Sequence, residues 1–486
     1  MILIPILLGY PLAVIPFLLI FKSRRLNDLA ILSYALLFAG ISVALYLKPA
    51  QFTPFLAVDS LNILFLLVLA FLFLAISVYN VGYMRHSKES VRNQTWYTVF
   101  FLLFIVSMAA VVLAQHLALL WVFLEATTLS SAPLIYFERS RASIEAAWKY
   151  IFICSIGIAL AFVGIILLSL STGHLDSLFF VDLYKNASGL SKLWLKLSFP
   201  FILVGMGSKM GLAPVHAWLP DAHPEAPTPV SALLSATQIN MPLLGILRVF
   251  KLMALADLTH FASTLVLIMG FLSLLVSAVF IMRTNNIKRM LAYSSIENMG
   301  IIAIAIGGVG VGNSYSIGLY VALLHMVAHS LAKGAFFLTA GNIVHLYKTK
   351  KIDEVNGLLA TDKINGWLWL GSFAAICAIP PFPAFLSEFL LVKEMFAAGG
   401  WAIFRVVLFF LFMTIILFAM GRSVLSMTFG LKAAHIELPK GKIHLTSILP
   451  PLLLLLVLLI LGLSMPETVQ SLLKQATREL WPLAAF

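Results

Sequence analysis

GSKMGLAPVHAWLPDAHPEAPTPVSALL, residues Gly207–Leu234, is the stretch whose reading decides the fold. It sets Lys209 inside an apolar segment and interrupts that segment at Pro214. It then passes through the polar turn Asp221, His223, Glu225 and enters a second apolar segment. A lone ammonium at membrane depth is costly, so intramembrane charges mark functional positions by default. A helix broken at that depth leaves backbone groups unpaired, which only protein-buried or water-lined surroundings tolerate. The two features together point to an ion path.

The rest of the chain supplies the membrane. Of 486 residues, 61% are hydrophobic and only 11% charged, which excludes an ordinary soluble domain. The formal charge of +12 reads as loop charge that sets orientation, not as a nucleic-acid surface. Cys154 and Cys377 lie in separate apolar segments and read as packing residues. Nothing in the chain can ligate an Fe–S cluster or nickel, which need clustered cysteines. The first apolar run lacks a basic start and a small-residue cleavage site, so it reads as a retained helix.

With about 20 apolar residues needed per crossing, the pattern predicts about fourteen transmembrane helices in an all-α polytopic fold. They run near 1–21, 27–47, 58–83, 97–114, 117–137, 144–171, 198–218, 227–253, 261–282, 288–311, 314–346, 364–397, 401–429 and 445–464. Residues 466–486 read as a short surface helix. The whole chain, 1–486, reads as one membrane domain. Basic residues crowd the connections after odd-numbered helices, among them Arg24, Arg85, Arg139, Arg283, Lys288, Arg289, Lys350, Lys432, Lys440 and Lys442. That places these connections in the cytoplasm and both termini outside. The acidic turn Asp221–Glu225 then faces the cytoplasm as a proton collector and solvated cap. It resembles a metal cluster only loosely.

Other ionisable groups interrupt apolar runs in a pattern. Glu125 lies mid-helix in the fifth predicted span, and Glu145 and Lys149 lie four apart at the start of the sixth. Glu297 is in the tenth; His325, His329 and Lys333 form a stripe along the eleventh; Glu388 follows Pro380 and Pro381 in the twelfth. Glutamates thus occupy spans five and ten, basic or imidazole groups six and eleven, and proline breaks seven and twelve. Corresponding interrupted segments are the signature of an inverted repeat around a midplane site. The expected units are spans 4–8 (97–253) and 9–13 (261–429), flanked by 1–96 and 430–486. Moving one buried charge changes its neighbour's proton affinity, which is what a lateral relay requires. Blander readings remain for each residue: buried structural ion pairs for Lys209, Glu125 and Glu388, a near-surface pair for Lys149 with Glu145, and interhelical hydrogen bonds for the histidines.

SKMGLAPVHAWLPDAHPEAPTPVSALL, IKRMLAYSS, HMVAHSLAKGAFFL and PPFPAFLSEF together resemble the antiporter-like proton-translocating subunits of respiratory complex I, Mrp-type antiporters and membrane-bound hydrogenases, over roughly residues 58–430. LEATTLSSA, EAAWKYIFIC and AYSSIENMGI are most similar to the F subunit of hydrogenase-4, of the formate-hydrogenlyase type. The resemblance implies that Glu125 and Lys209 form the couple of the first half-channel. It puts His325, His329 and Lys333 on a central hydrophilic axis and makes Glu388 the terminal group of the second half-channel. Asn240 stands where relatives often carry a lysine, and Asn286 where they carry an acid. The chain ends soon after the last predicted span, without the long lateral helix of some relatives, which suggests a smaller complex. The implied role is ion translocation within a redox assembly of other membrane and peripheral subunits, in the cytoplasmic membrane. The [NiFe] centre and Fe–S clusters would sit in those partners. Two other roles stay open. A Na⁺/H⁺ antiporter without redox coupling could draw sodium ligands from Thr127, Thr128, Ser130 and Ser131; a scaffold would tolerate loss of its buried charges.

Overall fold

The computed structural model describes residues 2–173, 177–308, 315–397, 399–430 and 444–481. The connection holding Lys432, Lys440 and Lys442 lies outside the described residues. The helices in order are α1 (Leu3–Phe21), α2 (Arg24–Leu47), α3 (Ser60–Arg85), α4 (Val91–Leu113), α5 (Leu117–Ile135) and α6 (Arg141–Ser171). Then come α7 (Phe180–Lys185), α8 (Lys192–Met210), α9 (Leu219–Glu225), α10 (Thr228–Leu233), α11 (Asn240–Leu255), α12 (Thr259–Ile281) and α13 (Ile287–Gly308). The last are α14 (Tyr315–Tyr347), α15 (Leu358–Thr361), α16 (Lys363–Ile376), α17 (Pro383–Ala397), α18 (Ala402–Thr428), α19 (Leu445–Leu463) and α20 (Glu467–Leu480).

Twelve stretches among the described residues are helical, long and apolar enough to cross a membrane, with α10 and α11 counted as one. The two remaining expected spans are the broken ones, α8 and the α16–α17 pair. The chain is a multi-pass integral membrane protein. Helix starts follow local chemistry. The Asp59 carboxylate caps α3 by accepting from Leu61 N and Asn62 N at 3.0 and 2.8 Å, and Ser140 Oγ caps α6 through Ser143 N. Asn286 does the same for α13, accepting from Arg289 N at 3.1 Å.

Both breaks differ in detail from the expectation. The seventh span starts at Lys192 and ends at Met210, before Pro214, because Gly211 takes a left-handed conformation (φ 86°) and closes the helix. Pro214 sits in the following turn. The twelfth span stops at Ile376 and resumes at Pro383, with Pro380 and Pro381 in the gap. One non-helical element was not anticipated: a short hairpin pairs β1 (Gln51–Thr53) with β2 (Leu56–Ala57) around Pro54.

Two spans are wholly enclosed. The apolar cores of Thr228–Leu255 and of α14 are 100% buried, against 39% for those of α6 and α18, so the latter turn broad faces outward. The enclosed α11 and α14 carry several of the polar groups singled out from sequence, and lipid cannot reach those groups. The amphipathic tail helix α20 buries Leu472, Leu473, Ala476 and Leu480 against the bundle, packing on α3 and α14.

Candidate functional site, a polar row through the bundle

Lys209 lies in the last turn of α8 with no exposed surface. It reaches that depth because α8 presses closely on α6. A Cβ at Gly205 would stand 2.4 Å from Ala161 N and 2.5 Å from Gly157 O, so only glycine permits the approach. Trp218 Nε1 donates to Ser208 O at 2.7 Å, satisfying a carbonyl at the end of α8. The Lys209 ammonium donates to Leu124 O and to Thr128 Oγ1, the latter at 2.5 Å. The Thr128 hydroxyl in turn donates to Glu125 Oε2 at 3.4 Å, and Ser155 Oγ donates to Glu125 Oε1 at 2.7 Å. Lys209 and Glu125 are thus brought together, but through a hydroxyl.

Polar contacts continue sideways from this point. Ser131 on α5 and Gln238 both meet the Tyr150 hydroxyl of α6 at 2.6 Å. Gln238 belongs to a π-helical turn, Leu234–Gln238, between α10 and α11. Such a turn breaks the regular spacing of side chains and recurs at functional sites. From the same turn Ser235 meets Ser295 of α13 at 2.7 Å, and two residues past its end Asn240 donates to Ser330 of α14 at 2.8 Å. On α14 itself, Lys333 donates to Leu291 O of α13 at 2.9 Å. Glu297 interacts electrostatically with both Lys333 and Glu388. His325 bridges two helices, with Nε2 to Asn298 Oδ1 at 3.0 Å and Nδ1 to Ser387 Oγ at 2.8 Å. Ser387 precedes Glu388 on α17, just past the second break.

Several atoms along this row are buried without a hydrogen-bond partner among the described residues: both ring nitrogens of His329, Asn240 Oδ1, Gln238 Oε1 and Glu388 Oε1. A purely structural network satisfies its members. The His329 imidazole and the Glu388 carboxyl can exchange a proton, and the two amide oxygens can accept a hydrogen bond.

The acidic turn is built differently from the expectation. Asp221 accepts from Lys149 at 3.2 Å and from Arg289 at 3.1 Å, while Glu225 pairs with Lys350 at 3.4 Å. His223 is fully buried, stacked on Phe337 with ring centroids 4.9 Å apart, and interacts electrostatically with Lys333 and Lys288. The turn is therefore neutralised by basic partners and sends its imidazole inward, because proline at Pro220, Pro224 and Pro227 holds it folded over the bundle. Lys149 stands apart from the buried row. Its side chain is 47% exposed and pairs with Glu145 at 2.8 Å, so it belongs with Asp221 at the rim. Lys288, counted from sequence among loop charges, is buried and donates to Ala226 O at 2.8 Å.

A family model described as NADH:quinone oxidoreductase/Mrp antiporter, TM, matches residues 114–416, a range that runs from before Glu125 to beyond Glu388. The chain belongs to this family.

It is an antiporter-like membrane subunit of the superfamily that spans complex I, Mrp antiporters and membrane-bound hydrogenases. It is 36% identical over 370 residues to a hydrogenase-4 component F homolog of Methylacidiphilum infernorum, covering 74% of this chain and 76% of that one. It is also 31% identical over 446 residues to Na(+)/H(+) antiporter subunit A1 of Staphylococcus haemolyticus, covering 87% of this chain and 54% of that longer protein. Its fold matches a subunit of the archaeal membrane-bound sulfane sulfur reductase with a TM-score of 0.86 at 23% identity, over 98% of this chain and 97% of that one.

The antiporter-like subunit also holds a buried charge cluster that the sequence reading missed. Midway along α11, Arg248 pairs with Asp59 and donates to Asn62 Oδ1 at 2.6 Å. One turn on, Lys251 pairs with Glu479 of α20 at 3.0 Å. The Arg248–Asp59 pair joins residues 189 positions apart, so no local pattern announces it. Tyr150, Gln238, Asn298 and Ser387 were likewise missed. The available signal was the density of polar residues in SATQIN (Ser235, Thr237, Gln238, Asn240) and the Asn directly after Glu297.

Proposed function

We propose that this chain translocates protons as the antiporter-like subunit of a membrane-bound, hydrogenase-4-type [NiFe] redox complex. The alignment of polar groups from Glu125 through Thr128, Lys209, Tyr150, Gln238, Asn240, Lys333, Glu297 and His325 to Glu388 is the observation that carries this reading. Protons enter from the cytoplasmic side through the Asp221–Glu225 turn, where Lys149 and Arg289 pair with Asp221 and His223 faces Lys333. Each buried ammonium or carboxylate alters the proton affinity of the next group, so a charge shift delivered by a neighbouring subunit travels along the row. Both chain termini lie outside. The [NiFe] centre and Fe–S clusters belong to partner subunits, and this chain supplies the proton conduit. The hydrogenase-4 relative supports the redox partner, and the two proline-containing breaks support paired half-channels.

Sodium/proton exchange is the competing reading, favoured by the antiporter relative that aligns over most of this chain. The geometry around Thr128 weighs against it. The Lys209 ammonium already occupies Thr128 Oγ1 and Leu124 O, and Thr127, Ser130 and Ser131 direct their hydroxyls to backbone carbonyls. A sodium ion would have to displace an ammonium to gain those oxygens. Isolation of the intact complex tests the assignment. Hydrogenase subunits should co-purify, and redox-driven proton uptake in inverted vesicles should persist without sodium. Absence of hydrogenase partners together with sodium-dependent proton movement would overturn it.

A further inference from the structure

Between the last turn of α12 and the first turns of α13 lies an open cavity of about 380 Å³. Arg283, Arg289 and Lys351 line it together with asparagine and threonine, and no carboxylate is among its lining residues. We infer that this cavity binds the phosphate headgroup of an anionic phospholipid whose acyl chains lie along the outer face of α12.

Two features choose a lipid over a soluble anion. Ile268, Leu272, Leu275, Val279 and Met282 are all exposed at intervals of four and three residues, so they form one apolar stripe down α12. That stripe ends at the cavity, where Phe280 of α12 and Tyr293 of α13 stack with centroids 5.4 Å apart and planes 9° apart. An aromatic pair at the junction of an apolar stripe and a cationic pocket is the layout of a membrane interface. Basic pockets between transmembrane helices are the sites that hold anionic headgroups.

The charges are disposed to receive a phosphate. Arg283 is exposed at the rim and makes no ion pair among the described residues. Thr284 Oγ1 is buried without a hydrogen-bond partner among the described residues, leaving a hydroxyl donor beside the cations. Arg289 and Lys351 are held by Asp221 and Glu354, at 3.1 and 2.8 Å, and neither acid lines the cavity. A planar guanidinium can keep one carboxylate contact and still present other N–H groups to a phosphate.

The test uses the purified, delipidated full chain in detergent, with bound lipid read by native mass spectrometry. Phosphatidylglycerol should bind at least ~10-fold tighter than phosphatidylcholine. The double variant Arg283→Gln/Lys351→Gln should weaken phosphatidylglycerol by roughly 30-fold, from two cations of typical interfacial strength, and leave phosphatidylcholine unchanged. The charge-conserving pair Arg283→Lys/Lys351→Arg should restore binding. Equal affinity for the two lipids, wild-type affinity in the double variant, or an equal loss in Arg24→Gln/Arg25→Gln on α2 would overturn the inference. So would displacement of the lipid by inorganic phosphate at concentrations matching the lipid itself.

Discussion

Thr128→Val removes one oxygen from the row and nothing else of comparable size. In the native chain that hydroxyl accepts from Lys209 at 2.5 Å and donates to Glu125 at 3.4 Å, so it is the bridge between the two charges. A hydrogen bond to a charged group contributes about 1.5–3 kcal/mol. The ammonium keeps its contact with Leu124 O, so the loss is one of its two hydrogen bonds among the described residues. At about 1.4 kcal/mol per tenfold, a proton step that uses this bridge should slow by roughly 10–100-fold. Thr128→Ser retains the hydroxyl and should pump at close to the native rate. The assay is redox-driven proton uptake by inverted vesicles carrying the intact complex, with hydrogen turnover measured beside it using a soluble acceptor. Turnover should be unchanged in both variants. Native proton uptake in Thr128→Val would refute the bridge.

Other substitutions separate packing from proton transfer. Gly205→Val places side-chain atoms against backbone of α6, and overpacking of this kind costs about 1–3 kcal/mol. Purified protein should unfold at lower temperature, and an unshifted transition would contradict the close approach. Glu388→Gln keeps the size of the side chain but removes its charge, and should stop proton uptake while hydrogen turnover continues. Lys149→Gln, at the exposed rim, should slow uptake only a few-fold; complete loss would place Lys149 in the row itself.

Much of the fold was legible because lipid imposes a simple rule. A crossing needs a long apolar run, and the runs at 58–83, 261–282 and 401–429 lie close to α3, α12 and α18. The buried charges were legible for the same reason, since Lys209 and Lys333 interrupt runs in which a charge is expensive. What the sequence hid was direction. Lys149 and Lys333 look alike in a string, yet one faces the rim and the other is fully enclosed, because helix periodicity does not say which face meets lipid. The solvated reading of His223 failed since its turn packs on α6 and α13 and its ring stacks on Phe337 of α14. The intervening hydroxyls and amides, Thr128, Tyr150, Gln238 and Ser387, were hidden because a neutral polar residue is tolerated in many helices without a role. Only tertiary contact shows Thr128 against Lys209, Tyr150 against Gln238 and Ser387 against His325.

The proposed proton path between Glu125 and Glu388 requires a group at Lys209 that can gain and lose charge. The most direct measurement is proton uptake per hydrogen oxidised in vesicles bearing Lys209→Ala, recorded against wild type in the same preparation. Uptake should vanish while hydrogen oxidation stays within about two-fold of native, since redox chemistry and proton transfer occupy different subunits in this account. An unchanged ratio of protons to hydrogen would contradict it.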